Sequence, residues 1–293
     1  MPIQSSGAVS ISDINVELGR AANTTASLGD SDIRGLLERG SGNVGLGHAY
    51  GKANVFDYIM SSTANNVNAR NVALAAGWNG TSALTFTINS GVEAKSTSPS
   101  TPAFTVNGSF PNGITVTNNG YITGRGGKGA RGGSSTANSQ SGGTALSCSS
   151  AVTFYNNGQI RGGGGGGGAG AGQQLSGNIW PGGGGGGGAG YGTAGGAGGS
   201  RSGSNGSNCG LGSAGSRTGG GARGLGAQSL GSLRGGHGGN GGSNGATGAN
   251  GGNGTGGGSS AGGRRNGSGG GNAVTGNSNI SWSSTGTRVG GIS

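Results

Sequence analysis

Glycine fills 82 of the 293 positions, and its arrangement limits what this chain can fold into more than any other property. Gly162–Gly168 and Gly182–Gly188 are unbroken runs, and Gly236, Gly239, Gly242, Gly245, Gly248, Gly251, Gly254 and Gly257 fall at every third position. A period of three matches a left-handed extended helix with three residues per turn and about 3.1 Å rise, so seven residues span about 22 Å. Collagen shares that period but needs abundant proline. Here there are five, with Pro181 the sole one inside the glycine region. Such a helix has no internal hydrogen bonds, so its N–H and C=O groups point outward and must pair with neighbours. Packed glycine helices of the polyglycine II kind meet that need, because backbones without Cβ atoms approach closely. A helix inside such a bundle needs glycine on all three faces, which suits the two runs. A helix at its edge needs fewer, which suits the Gly-x-x register. Glycine loses much backbone freedom on folding, and only a cooperative lattice of hydrogen bonds, each netting about 1 kcal/mol, offsets that loss. The alternative is a flexible linker, which has no reason to keep a triplet register or to carry Leu and Trp between its runs.

The rest of the composition agrees that side-chain burial does not hold the whole chain. Hydrophobic types make up 29% and charged types 8%, both well below globular norms, and disordered chains are usually far more charged. All the acids, Asp13, Glu17, Asp30, Asp32, Glu38, Asp57 and Glu93, lie in the first third. Twelve Lys or Arg follow, from Lys95 to Arg288, so the larger part is strongly basic and favours phosphate-bearing or acidic partners. Carboxylate pairs are impossible beyond Glu93, only His48 and His237 offer an imidazole, and Cys148 and Cys209 lack metal-ligand spacing. G-x-G-x-x-G matches carry no information in so glycine-rich a chain. We therefore expect no enzyme, no cofactor and no metal. A single Cys148–Cys209 bridge stays open. The first ten residues do not resemble a secretory signal, and no apolar stretch is long enough for a membrane span, so no membrane insertion is expected.

Along the chain, residues 1–53 read as a small helical module. Ser12 or Asp13 caps a first helix stopped by Gly19, and Asp30 caps a second stopped by Gly40. Fifty residues with so few apolar side chains are marginal alone, which suits an anchor that gains stability by docking. Residues 54–112 read as a helix over NVNARNVALAAGW followed by short strands. In them Leu84, Phe86 and Ile88 alternate with Thr85, Thr87 and Asn89. Residues 113–293 form the glycine-rich body. Segments 113–127, 151–165 and 272–286 share a strand–turn–strand pattern, so β structure brackets the glycine. The expected fold class is mostly irregular and β. It carries a small α-helical N-terminal module and a C-terminal polyglycine II helix bundle, or sandwich, bracketed by short strands.

The layout of NNGYITGRGGKGARGG at 118–133, YNNGQIRGGGGGGGAGAG at 155–172, PGGGGGGGAGYG at 181–192 and GNAVTGNSNISW at 271–282 resembles the glycine-rich long-tail-fibre tip adhesins of T-even bacteriophages. The resemblance covers residues 113–293. It implies a sandwich of polyglycine II helices whose loops contact an outer-membrane protein or lipopolysaccharide of the host. Residues 1–53 are similar instead to a short module that opens many phage virion proteins. They depart from the T-even attachment domain, so the expected partner is another virion tail or fibre protein.

Segments that interrupt the glycine, at 134–150, 171–180, 200–217 and 225–234, are the candidate receptor loops. Trp180 with Gln173, Gln174, Leu175 and Ile179 is the best cluster, since aromatic and aliphatic groups anchor interfaces. The other reading of Trp180 is a cover over the end of the bundle. Leu211, Leu225, Leu230 and Leu233 share that ambiguity, and Arg201, Arg217, Arg223, Arg234, Arg264 and Arg265 suit phosphate or carboxylate groups. Two other functions stand beside a receptor-binding tip in the virion, assembled in the host cytoplasm. One is a structural spacer. The other is an Arg-Gly-Gly nucleic-acid binder, suggested by Arg125, Arg131, Arg161 and Arg234. The scarcity of aromatics, 4% of the chain, argues against the second.

Overall fold

The computed structural model describes residues 3–52, 54–132, 138–175, 178–180, 182–190, 210–226, 234–256 and 259–293. Three structures follow one another in space: a small helical module, a three-sided prism of parallel strands, and a glycine body that grows out of one corner of the prism.

The module has its own core of Ile3, Ile14, Ile33, Leu37 and Ala49. Helix α1 (Ile11–Glu17) starts at Ser10, whose hydroxyl accepts from the Asp13 backbone N–H while Asp13 bonds back to Ser10. The cap is thus two or three residues ahead of the Ser12 or Asp13 expected, because Ser10 and Asp13 have the three-residue spacing of a reciprocal capping box. Gly19 ends this helix at φ +74°, as expected of a left-handed stop. Helix α2 (Ser31–Leu36) has Asp30 at its N-cap position, but the carboxylate turns back to accept from the Ser27 N–H instead of capping the helix, which ends before Gly40 with Glu38 itself left-handed at φ +54°. Ile3 pairs with Gly51 and Lys52, which closes the module on its own start.

The prism is built in rungs of three short strands, and each rung lies parallel on the one before. The first side stacks β1 (Val55–Met60), β4 (Ala83–Ile88), β7 (Ile114–Asn118), β10 (Val152–Asn156) and β16 (Ile280–Ser284). The second stacks β2 (Ala64–Asn65), β5 (Glu93–Lys95), β8 (Tyr121–Thr123), β11 (Gln159–Arg161) and β17 (Thr287–Val289). The third stacks β3 (Val67–Asn68), β6 (Phe104–Val106), β9 (Leu146–Cys148), β15 (Asn272–Thr275) and β18 (Gly291–Ile292). Alternation along β4 sends Leu84, Phe86 and Ile88 inward. They share one core with Phe104, Val116, Ile122, Leu146, Phe154 and Ile160. Helix α3 (Ala69–Ala75), inside the span expected to be helical, packs Ala69, Ala73 and the following Trp78 on that core. Corners are polar yet satisfied: Asn118 Nδ2 donates to Asn156 Oδ1 at 2.8 Å, and Asn156 Nδ2 donates to the Thr285 carbonyl at 2.7 Å. Gly120 and Gly158 follow these asparagines because a Cβ at either would come within 2.1 Å of a backbone oxygen of the adjoining rung.

Two details correct the sequence pattern. The segment equivalent to 113–127 and 151–165 begins at Ile280, not Asn272, since β16 stacks on β10 whereas β15 stacks on β9. The boundary drawn at 112/113 falls between two rungs of the same prism, because β4 pairs with β7 across it.

The glycine body leaves the prism between its second and third sides. Residues 124–145 do so in the third rung and 162–271 in the fourth. Residues 162–171 lie at its centre. Their N–H groups donate in rotation to three segments: Gly163 and Gly166 to 140–143, Gly164, Gly167 and Gly170 to 183–189, and Gly165, Gly168 and Ala171 to 246–252. Their carbonyls accept in rotation from three others, 124–130, 236–242 and 265–271. These six also bond to one another in sequence, closing a ring around the central segment. A Cβ at any glycine from Gly162 to Gly168 would lie within 2.1 Å of a neighbouring backbone oxygen, so no other residue fits there.

The triplet register does not run along one rod. Residues 236–242 and 246–252 are antiparallel neighbours joined by a reversal at Asn244–Gly245, where φ of Gly245 is +65°. Gly236, Gly239 and Gly242 face the backbone of 246–252, while Gly248 and Gly251 face Gly166 and Ala169. Gly245 approaches Gly290 of the prism and Gly254 the side chain of Gln173; Gly257 is outside the described residues. Where a neighbouring backbone is missing, side chains take over as acceptors: Asn240 Oδ1 for Arg223 N–H (2.9 Å), His237 Nδ1 for Gly226 N–H (3.1 Å) and Asn250 Oδ1 for Gly267 N–H (3.0 Å). His237 and Asn250 are therefore built into the body.

Candidate functional site

Hydrogen-bond register fixes which reversals share an end. Residues 162–171 run away from the prism, 182–190 return to it, 210–216 again run toward it, and 220–226 run outward antiparallel to them. Residues 234–242 return, 246–252 run outward, and 265–271 come back to β15. The far end therefore gathers, among the described residues, Gly132 and residue 138, residues 172–175 and 178–180, Gly226 and Arg234, and residues 253–256 and 259–264. The near end gathers 217–219 and 244–245.

At the far end, β12 (Gly172–Leu175) and β13 (Asn178–Trp180) form a hairpin, joined on its other edge by β14 (Ser259–Gly262). In this sheet Gln173 stands opposite Trp180, Gln174 opposite Ile179 and Leu175 opposite Asn178. The five residues of the best sequence cluster thus fall on one hairpin. Gln173 reaches across to Gly254, and its Oε1 is buried without a hydrogen-bond partner. Arg234 pairs through its backbone with Thr255. Arg264 is exposed and Arg265 half-buried where the chain turns back into the body. Arg131, named above only among the Arg-Gly-Gly candidates, lies exposed beside Gly132 at the same end, where the register of Gly126, Gly129 and Gly132 leads. Leu211 is 61% exposed and Leu225 55%; the segments that carry them are bonded at Gly210 and Leu225. Arg201, Leu230 and Leu233 lie outside the described residues.

Arg217 is placed elsewhere. It sits at the near end, over the ring of Tyr121 (4.0 Å) and 3.5 Å from Glu93 Oε1. Glu93, the last acid of the chain, also accepts from the Thr123 hydroxyl at 2.5 Å. This cluster pins the 217–219 reversal to the second side of the prism. Arg161 joins it over Tyr121 at 5.4 Å, and burial together with the nearby Arg217 lowers its pKa. Glu93 and Arg217 are far apart in sequence, and no local pattern pointed to their meeting. Cys148 faces the core of the prism, where burial pushes its thiol up to about 12; Cys209 is outside the described residues. Among the described residues no group of His, Cys, Asp or Glu is gathered to hold a metal, and no helix is long and apolar enough to cross a membrane.

The fold, a strand prism carrying a glycine body, has a counterpart among solved structures. The chain is similar to one in the crystal structure of the gp37–gp38 adhesin tip complex of the bacteriophage S16 long tail fibre. The TM-score is 0.54 at 22% identity, over 99% of this chain and 100% of that one. The family model of the phage tail fibre adhesin Gp38 matches residues 55–293, and the chain belongs to that family. No curated protein sequence matches it.

Proposed function

We propose that this adhesin recognises a host surface receptor through the far-end connections of its glycine body, and that the body is a polyglycine II lattice serving as their rigid platform. One observation carries this proposal. The central segment bonds in threefold rotation to a closed ring of six others, which leaves side chains free to vary only at the lattice edges and reversals. The near-end reversals abut the prism, so the far end is the free one. Surface connections tolerate variation that a hydrogen-bonded lattice does not. Basic Arg131, Arg234, Arg264 and Arg265, with no carboxylate side chain after Glu93, suit an outer-membrane protein with acidic loops or the phosphates of lipopolysaccharide.

Attachment is assigned to the other extreme. The S16 structure is a complex of gp38 with gp37, and by analogy this chain docks on a tail or fibre protein of its own virion through residues 1–53. The separate small core of that module is the supporting feature. Nucleic-acid binding through Arg-Gly-Gly is disfavoured, since Arg161 stacks on Tyr121 and the glycines after it are buried in the body.

The test exchanges residues 171–180 between phages of different host range. Altered adsorption on a panel of envelope mutants, with unchanged melting, is the expected result. Unchanged host range after this exchange and a 225–234 exchange would leave the protein a spacer. Deleting residues 1–53 should yield particles lacking the adhesin, while normal incorporation would refute the anchor.

A further inference from the structure

The prism has two ends, each a triangle of strand edges: β1, β2 and β3 at one, β16, β17 and β18 at the other. Edge strands carry unpaired backbone groups and are templates for another strand. Rungs pair in parallel throughout, so the last rung of one copy and the first rung of a second would repeat the relation between successive rungs. The sides match in length, with 6, 2 and 2 residues in the first rung and 5, 3 and 2 in the last. Stacked head to tail, copies would form an open filament.

The inward positions of the two end rungs differ. In the first rung Phe56, Tyr58 and Met60 lie in register with Leu84, Phe86 and Ile88, and none is charged. In the last rung Trp282 lies in register with Phe154, and Arg288 with the fully buried Ile160. Arg288 therefore occupies a core position, with its guanidinium 4.8 Å from the centre of the Trp282 ring. The indole is itself fixed, packed against Phe154 at 5.2 Å and donating from Nε1 to Asn277 Oδ1 at 2.8 Å. A further rung laid on this end would bury the guanidinium, and the inward positions of a second copy's first rung, Phe56, Tyr58 and Met60, offer no carboxylate to pair with it, since the one acid of that rung, Asp57, alternates to the exposed outward face. Burying an unpaired cation is strongly unfavourable.

We propose that Arg288, seated on Trp282, closes this end of the prism against a second copy of the chain, so that only the first-rung end remains open to a partner. The test is sedimentation of the full-length chain over a concentration series. Arg288→Met keeps an aliphatic stem on Trp282 and removes the charge. It should associate at concentrations about tenfold below those at which the unaltered chain does so. Arg288→Lys, which keeps the charge, should behave like the unaltered chain. Adding Tyr58→Glu to Arg288→Met puts a charge at an inward position of the first rung and should reverse the association. A folded Arg288→Met that sediments like the unaltered chain overturns the proposal, and so does association that Tyr58→Glu fails to reverse. If Arg288→Met does not fold, Arg288→Gln is judged by the same two outcomes.

Discussion

The prism and the glycine body solve one problem, pairing every backbone group, by opposite means. In the prism, strands pair along three sides and the enclosed space is filled by Phe86, Phe104, Phe154, Ile122 and Ile160. Backbone pairing and side-chain burial are separate there, so a strand can change outward residues freely and inward ones in kind. In the body they are the same thing. The space between segments is filled by the neighbouring backbone itself, and residues 162–170 are buried almost without side chains. The difference teaches where each region is brittle. A prism core tolerates swaps of similar volume, whereas a lattice position facing another backbone admits glycine alone.

Substitutions separate the two regimes most sharply at the centre of the body. Gly166→Val should destabilise by more than about 5 kcal/mol and leave the body protease-sensitive, because its Cβ would lie 1.8 Å from the Lys128 carbonyl oxygen. Phe154→Ala, a far larger deletion in the prism, should cost about 3–5 kcal/mol in denaturant unfolding and leave the body folded. If Phe154→Ala proves the more damaging, the backbone is not the core of the body. Below both, Asn118→Ala should cost about 1–3 kcal/mol, because Asn156 Oδ1 and the Gly120 N–H lose their partner inside the prism. At the edge of the body, Asn250→Ala removes one acceptor and should cost about 1 kcal/mol. Gly251→Val, one residue on, brings a Cβ within 1.9 Å of the Ala169 oxygen and should approach the Gly166 effect. Equal melting temperatures for these last two variants would break the distinction between lattice faces. The smallest effect is expected outside both cores. Removing Arg264 and Arg265 together should leave melting nearly unchanged and slow adsorption mainly at low salt, since exposed charges are screened within about 10 Å at 0.1 M.

Particular residues show how far local rules reach. Leu84, Phe86 and Ile88 announce their strand and its buried face by alternation, and the glycine runs announce a segment enclosed on every side. Ser10 shows the limit of the same logic, since the sequence offers Ser12 and Asp13 as caps and the turn that formed uses neither, taking Ser10 with Asp13 as its third-residue partner. Arg217 shows where it fails. In sequence it is one of several arginines among glycines, and its place beside Glu93 depends on a reversal meeting a strand more than a hundred residues earlier. The far-end hairpin was half legible, as a cluster around Trp180, while the companionship of 253–264 was not.

By itself the sequence determined the conformations available to each stretch, because period, glycine content and alternation act through backbone sterics within a few residues. It also determined the electrostatic character of the body, because no acid follows Glu93. Only the tertiary structure decided that β11 and β15, separated by the whole glycine body, belong to one rung, and that the register from Gly236 turns back at Asn244–Gly245. It alone decided which reversals share the free end. Those outcomes depend on which segments pair, and pairing is chosen among distant backbones whose hydrogen-bonding groups are chemically identical.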